Sequence, residues 1–67
     1  MTWQERLLIE QDELQNRIDN LQAFVLGSQF PLISDEDQVD IVTQLVYMRR
    51  YFAVLVGRTA RHCSELP

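Results

Sequence analysis

Leu7, Leu14 and Leu21 recur at intervals of seven, and Ile18 and Val25 follow Leu14 and Leu21 by four. That spacing keeps apolar side chains on one side of a helix as a heptad-like stripe. Gln4 and Gln11 hold the corresponding places nearer the start, which predicts a wetter seam, or a polar partner, at that end. Thr2 followed by Glu5 reads as a capping box, in which the hydroxyl takes one free N–H of the first turn and the glutamate returns to another. Gly27 lies just past the last periodic residue and reads as a C-cap, because glycine tolerates positive φ. The pattern predicts a helix over about 3–26.

The stretch Gly27 to Ser34 holds one of the two glycines and one of the two prolines, and it predicts a loop over about 27–33. A second helix over about 34–62 follows. Asp35, Glu36 and Asp37 load its first turn with negative charge, and Arg58, Arg61 and His62 load its last turns with the opposite sign, both suited to the helix dipole. At 1.5 Å per residue the two helices measure about 36 and about 42 Å. Helices of such similar length, joined by so short a loop, form an antiparallel hairpin, so the fold class is all-α, with 1–67 as one domain.

The second helix carries two apolar stripes. Ile41, Leu45, Met48, Phe52, Leu55 and Thr59 step by four and three and face the first helix or an equivalent partner. Val39, Val42, Val46, Ala53, Val56 and Ala60 lie roughly a third of a turn round. Two seams call for two partners, and one hairpin supplies one; the plainer alternative is a single broad core-facing surface. A chain this short, with no disulfide to staple it, commonly gains its missing burial by self-association. The expectation is a homo-oligomeric helical bundle.

Composition narrows the chemistry. The 67 residues carry 6 basic and 10 acidic side chains, a net charge of -4, which disfavours gripping a long nucleic acid by its phosphates. One cysteine, Cys63, excludes an internal disulfide and a zinc site built on cysteines, and the single His62 leaves little for metal or triad schemes; no metal or cofactor is expected. The first residues lack a basic then apolar leader, and the longest apolar-rich stretch, Leu45 to Gly57, is broken by Arg49 and Arg50. These features predict a soluble protein of the reducing cytoplasm, with no membrane partner.

All six basic residues are arginines, whose planar fork matches phosphate and whose flat face stacks on rings. Tyr47, Tyr51, Val54, Arg58 and Arg61 form a third stripe on the second helix, bordered by Arg50. Such a face can stack a base and hold a phosphate; it is equally an outer face of amphipathic tyrosines and snorkelling arginines. Trp3 and Arg6 make a smaller pair on the first helix, which an antiparallel hairpin brings near Arg58 and Arg61. The alternative for that pair is a stapled helix start and an Arg6–Glu10 ion pair at i, i+4. Glu10, Asp12 and Glu13 read as solvated, and a lone hairpin offers no shielded cleft to drive two carboxylate pKa values apart. His62 and Cys63, adjacent near the terminus, lack an orienting third group, so the chain reads as a non-enzyme. Phe30 reads as a plug for the loop end rather than a binding group.

Glu5-Arg6, Glu13-Leu14, Arg17-Ile18, Leu21 and Phe24-Val25, followed by Ser28, Phe30 and Leu32-Ile33, and then Gln44, Met48, Tyr51, Leu55 and Arg58, resemble the hairpin domain of small bacteriophage proteins of the anti-CBASS and anti-Thoeris sponge group. The resemblance covers roughly residues 5 to 60. It implies a phage-encoded protein of the infected bacterium's cytoplasm, assembled as a hexamer of hairpins. It also implies binding of cyclic dinucleotides, cyclic trinucleotides or cyclised ADP-ribose signals between protomers, without degrading them. The same resemblance lends positions to Arg6, Tyr51 and Arg58. Together with the stripes, the candidate ligand-binding set is Trp3, Arg6, Tyr47, Arg50, Tyr51, Arg58 and Arg61. A second reading is a hairpin that docks a host protein through its spare apolar face.

Overall fold

Helix α1 (Trp3–Leu26) and helix α2 (Asp35–His62) run antiparallel in the computed structural model, which describes residues 1–62. Cys63 lies outside the described residues. A single 3₁₀ turn (Phe30–Leu32) sits between the helices. The chain is a rod of 48 × 16 × 16 Å with a radius of gyration of 15.1 Å. A compact globule of this length has a radius near 11 Å, so the two helices pair along one line instead of wrapping a centre.

That line is the first stripe of each helix. Leu7, Leu14 and Ile18 of α1 are buried against Leu45 and Leu55 of α2, with Leu21, Met48 and Phe52 packed at the margin. Leu55 has no exposure at all. The second stripe is a separate surface. Val39 is 65% exposed, and Val42, Val46 and Val56 are all above 40%. A single broad core-facing surface is thereby overturned: α1 covers one side of α2 and cannot reach the side a third of a turn away.

The helix ends show how local chemistry sets the boundaries. Thr2 accepts the Glu5 N–H through its hydroxyl at 3.2 Å, and that same hydroxyl donates to the Glu5 carboxylate at 3.3 Å. The box is thus one-sided: the carboxylate meets the threonine hydroxyl rather than returning to a backbone N–H. At the start of α2 the Ser34 hydroxyl accepts the Asp37 N–H at 3.1 Å, which caps the helix in the usual way. Gly27 closes α1 with its N–H on the Phe24 carbonyl at 3.1 Å, but its backbone is extended (φ -86, ψ 177). No residue of the described chain uses positive φ. The turn needs no left-handed residue because the chain leaves α1 straight and reverses later, through the 3₁₀ turn at Pro31.

Candidate functional site

The antiparallel pairing brings the start of α1 to the end of α2. Trp3 and His62 meet edge to face, with ring centroids 5.2 Å apart and planes at 67°. Trp3 was expected near Arg58 and Arg61; the ring it touches belongs to His62. Arg61 lies back along its own helix, its Nη1 3.9 Å from where a Cβ on Gly57 would stand. A Cβ at position 57 would touch that guanidinium at an ordinary van der Waals distance. Arg6 and Arg58 are exposed at the same end.

The tyrosines of the third stripe behave differently from each other. Tyr51 crosses the hairpin and donates its hydroxyl to Oε1 of Glu10 on α1. Glu10 is therefore engaged by the opposite helix while its side chain stays exposed, in keeping with its reading as a solvated carboxylate. The hydrogen bond to Glu10 raises the Tyr51 pKa above its usual value of 10.0, burial and the charge of Glu10 add to it, and the positive charge of Arg58 opposes it. Tyr47 stays free of α1 and is 62% exposed. The Arg50 guanidinium lies over its ring, 5.9 Å from the centroid. A guanidinium on an aromatic face is a ready pair for an anion joined to a flat base: the ring fixes the cation, and the outward N–H groups stay available.

Two further residues join the picture without having been singled out. Arg49 reaches α1 and donates through Nη2 to Gln22 Oε1 at 2.9 Å. Adjacent arginines on α2 thus part company, Arg49 to α1 and Arg50 to Tyr47. The usable signal lay in register: once α1 and α2 run antiparallel from Trp3 and His62, Glu10 falls level with Leu55, one helical turn from Tyr51 and within reach of its long side chain. The seam between these helices is polar towards the open end. Gln11 Oε1 and Thr59 Oγ1 are buried there without a hydrogen-bond partner among the described residues. Gln11 in the stripe foretold that polarity.

At the loop end an open apolar groove of about 310 Å³ is lined by Phe30, Gln38, Val39, Val42 and Thr43. Phe30 packs edge to face on Phe24, centroids 6.2 Å apart, and also forms a wall of this groove. Among the described residues no group of three histidine, cysteine, aspartate or glutamate side chains gathers at a metal's distance. Nor is any helix long and apolar enough to cross a membrane.

Comparison with known proteins gives one finding. The model of the Sequestin family matches residues 1–61. That span contains the segments that resemble the phage sponge proteins, and it includes every candidate ligand-binding residue. No curated protein and no solved structure matches. The chain belongs to the Sequestin family.

Proposed function

We propose that this member of the Sequestin family is a phage immune-evasion sponge that binds cyclic di- or trinucleotide signals and withholds them, intact, from the host effector. The observation that carries the reading is the family match over residues 1–61, whose name accords with sequestration. The geometry is compatible with it. Tyr47 and Arg50 offer an exposed ring and guanidinium side by side.

The protein works as a homo-oligomer, a hexamer by resemblance, in the cytoplasm of the infected bacterium. A cyclic oligonucleotide repeats one phosphate and one base around a ring, and symmetric interfaces repeat one arginine and one aromatic around an axis. A chain with a net charge of -4 can therefore build a locally basic pocket between copies, because the ligand is small and the field that holds it is local. Sequestration at a Kd near 1 nM requires about -12 kcal/mol, within reach of several charge-assisted hydrogen bonds and stacked bases.

A thermal-shift panel of cyclic di- and trinucleotides tests the reading. At a hundredfold excess over a nanomolar Kd the fold gains about 2.7 kcal/mol from linkage, and mass spectrometry recovers the ligand unchanged. Absence of any shift across the panel ends the sponge reading and leaves the exposed valine stripe as a docking face for a host protein.

A further inference from the structure

The groove at the loop end has a fixed apolar wall, and its polar liners are already engaged. Phe30 is held in that wall edge to face on Phe24, and Val39 and Val42 supply the floor. Gln38 Nε2 donates to the Ile33 carbonyl at 3.1 Å, and the Thr43 hydroxyl donates to the Val39 carbonyl at 2.8 Å. Val46 extends the floor by one turn towards Arg49. Around this apolar strip the charge has one sign. Asp35 precedes Val39 by four and Val42 by seven, so it stands at the head of the strip. Glu36 and Asp40 precede Thr43 by seven and by three, so they run down its flank. All three acids are exposed. In the half of the rod nearer the loop, residues 15–48, Asp19, Asp35, Glu36, Asp37 and Asp40 stand against Arg17, a net charge of -4. In the other half, 1–14 and 49–62, Glu5, Glu10, Asp12 and Glu13 are outweighed by Arg6, Arg49, Arg50, Arg58 and Arg61, a net +1. The acid excess is gathered where the groove is. The helix dipole accounts for Asp35, Glu36 and Asp37 but not for Asp40, which lies past the first turn.

We propose that this acid-edged groove docks a short basic amphipathic helix of another protein. Its apolar side chains, at i, i+3 and i+7, seat against Phe30, Val39 and Val42, and its lysines or arginines meet Asp35, Glu36 and Asp40. A helix suits the floor because Val39, Val42 and Val46 step by three and four, a ridge against which a facing helix packs its own. The strip is bounded by Asp35 and Arg49, about 21 Å apart at 1.5 Å per residue, which accommodates several turns of a partner. It is open along its length, so a small molecule would leave much of its surface wet, whereas a helix covers the valines together. A second copy's loop end would bring its own carboxylates against these, while a basic helix neutralises them. The apolar floor supplies the hold, and the acidic edge selects the partner and speeds its encounter. The inference is independent of the sponge reading, because none of the candidate ligand-binding residues takes part in it.

Fluorescence anisotropy with a labelled helical peptide tests the proposal. The peptide carries leucine at i, i+3 and i+7 and lysine along one edge; its counterpart carries glutamate in place of each lysine. The lysine peptide binds the full chain, and the glutamate peptide binds about tenfold more weakly or not at all. Val39→Asp is the deciding variant. It adds a carboxylate at a position that is 65% exposed, so a general attraction of base for acid would grow, while seating in the groove is lost. The groove reading expects about a tenfold loss of lysine-peptide affinity in Val39→Asp, with helical content unchanged by circular dichroism. Asp40→Asn, past the first turn and clear of the Ser34 cap, weakens the same peptide about threefold and flattens its salt dependence. Unchanged or tighter binding in Val39→Asp overturns the proposal. So does equal affinity for the two peptides, or a wild-type chain that binds neither. Light scattering on Val39→Asp tests the rival occupant: particle mass equal to wild type upholds the groove as a seat for another protein, and a fall in mass assigns it to a second copy and overturns the proposal.

Discussion

At the loop end, three groups that the chain reversal strands are met locally. Phe24 and Phe30 close on each other edge to face, Ser34 caps α2, and Gln38 Nε2 donates to the Ile33 carbonyl at 3.1 Å. At the open end, the same two helices pair around Gln11 and Thr59, each burying an oxygen with no partner among the described residues. There the hairpin is held by Trp3 on His62 and by Tyr51 on Glu10, contacts that sit on the outside of the rod. One end is finished by short-range chemistry, and the other keeps spare polarity and exposed arginines. A buried orphan oxygen costs about 1–3 kcal/mol, so the open end gives up stability where the loop end does not.

The sharpest way to break this contrast is to remove the apolar anchor of the half that includes the open end. Leu55 is the one described side chain with no exposure, and Leu55→Ala is expected to cost about 3 kcal/mol through lost transfer energy and a cavity. Urea denaturation of both chains measures it. A loss below about 1 kcal/mol would mean that the polar seam, not Leu55, sets the pairing at that end. A smaller and paired effect follows from the two hydroxyls. Thr59→Val replaces the orphan oxygen with a methyl of similar size and should raise stability by about 1 kcal/mol. Ser34→Ala removes a working cap and should lower it by about the same amount. Opposite signs in thermal melts uphold the difference between the ends; a loss in both would show that Thr59 has found a partner.

The heptad spacing of Leu7, Leu14 and Ile18 and the four-three stepping through Leu45 and Leu55 made the hairpin readable, because apolar periodicity and packing side are the same fact seen twice. Gln11 likewise announced the polar seam. The role of Glu10 was not readable, since its neighbours in sequence, Asp12 and Glu13, mark a solvated run. Its partner, Tyr51, stands 41 positions away, and only the register between helices joins them. The split between Arg49 and Arg50 was hidden for the same reason. Local patterning assigns both to the outside of α2, while the reach of a long side chain to Gln22 decides where one of them ends. Gly27 shows the reverse error: a general preference for left-handed glycine at helix ends gave way to an extended exit.

The smallest effect concerns the contact that ties the third stripe to α1. The Glu10 carboxylate accepts the Tyr51 hydroxyl and repels the phenolate that would replace it, so the folded protein holds this proton above the usual tyrosine pKa of 10.0. A raised folded value means that the contact contributes fully below the unfolded pKa of about 10. Its contribution then fades as pH rises through the folded value. Glu10→Gln keeps an oxygen that accepts the hydroxyl but removes the charge, which should bring Tyr51 ionisation to lower pH; Arg58→Gln removes the opposing positive charge and should move it to higher pH. Phenolate absorbance followed against pH, in a Tyr47→Phe background that leaves Tyr51 as the reporting tyrosine, reads both shifts. Opposed shifts would place Tyr51 between the acid of α1 and the arginine of α2, anchored where Tyr47 is free. Identical titration curves in all three chains would show that Tyr51 stands clear of both charges, and the third stripe would then be one uniform outer face.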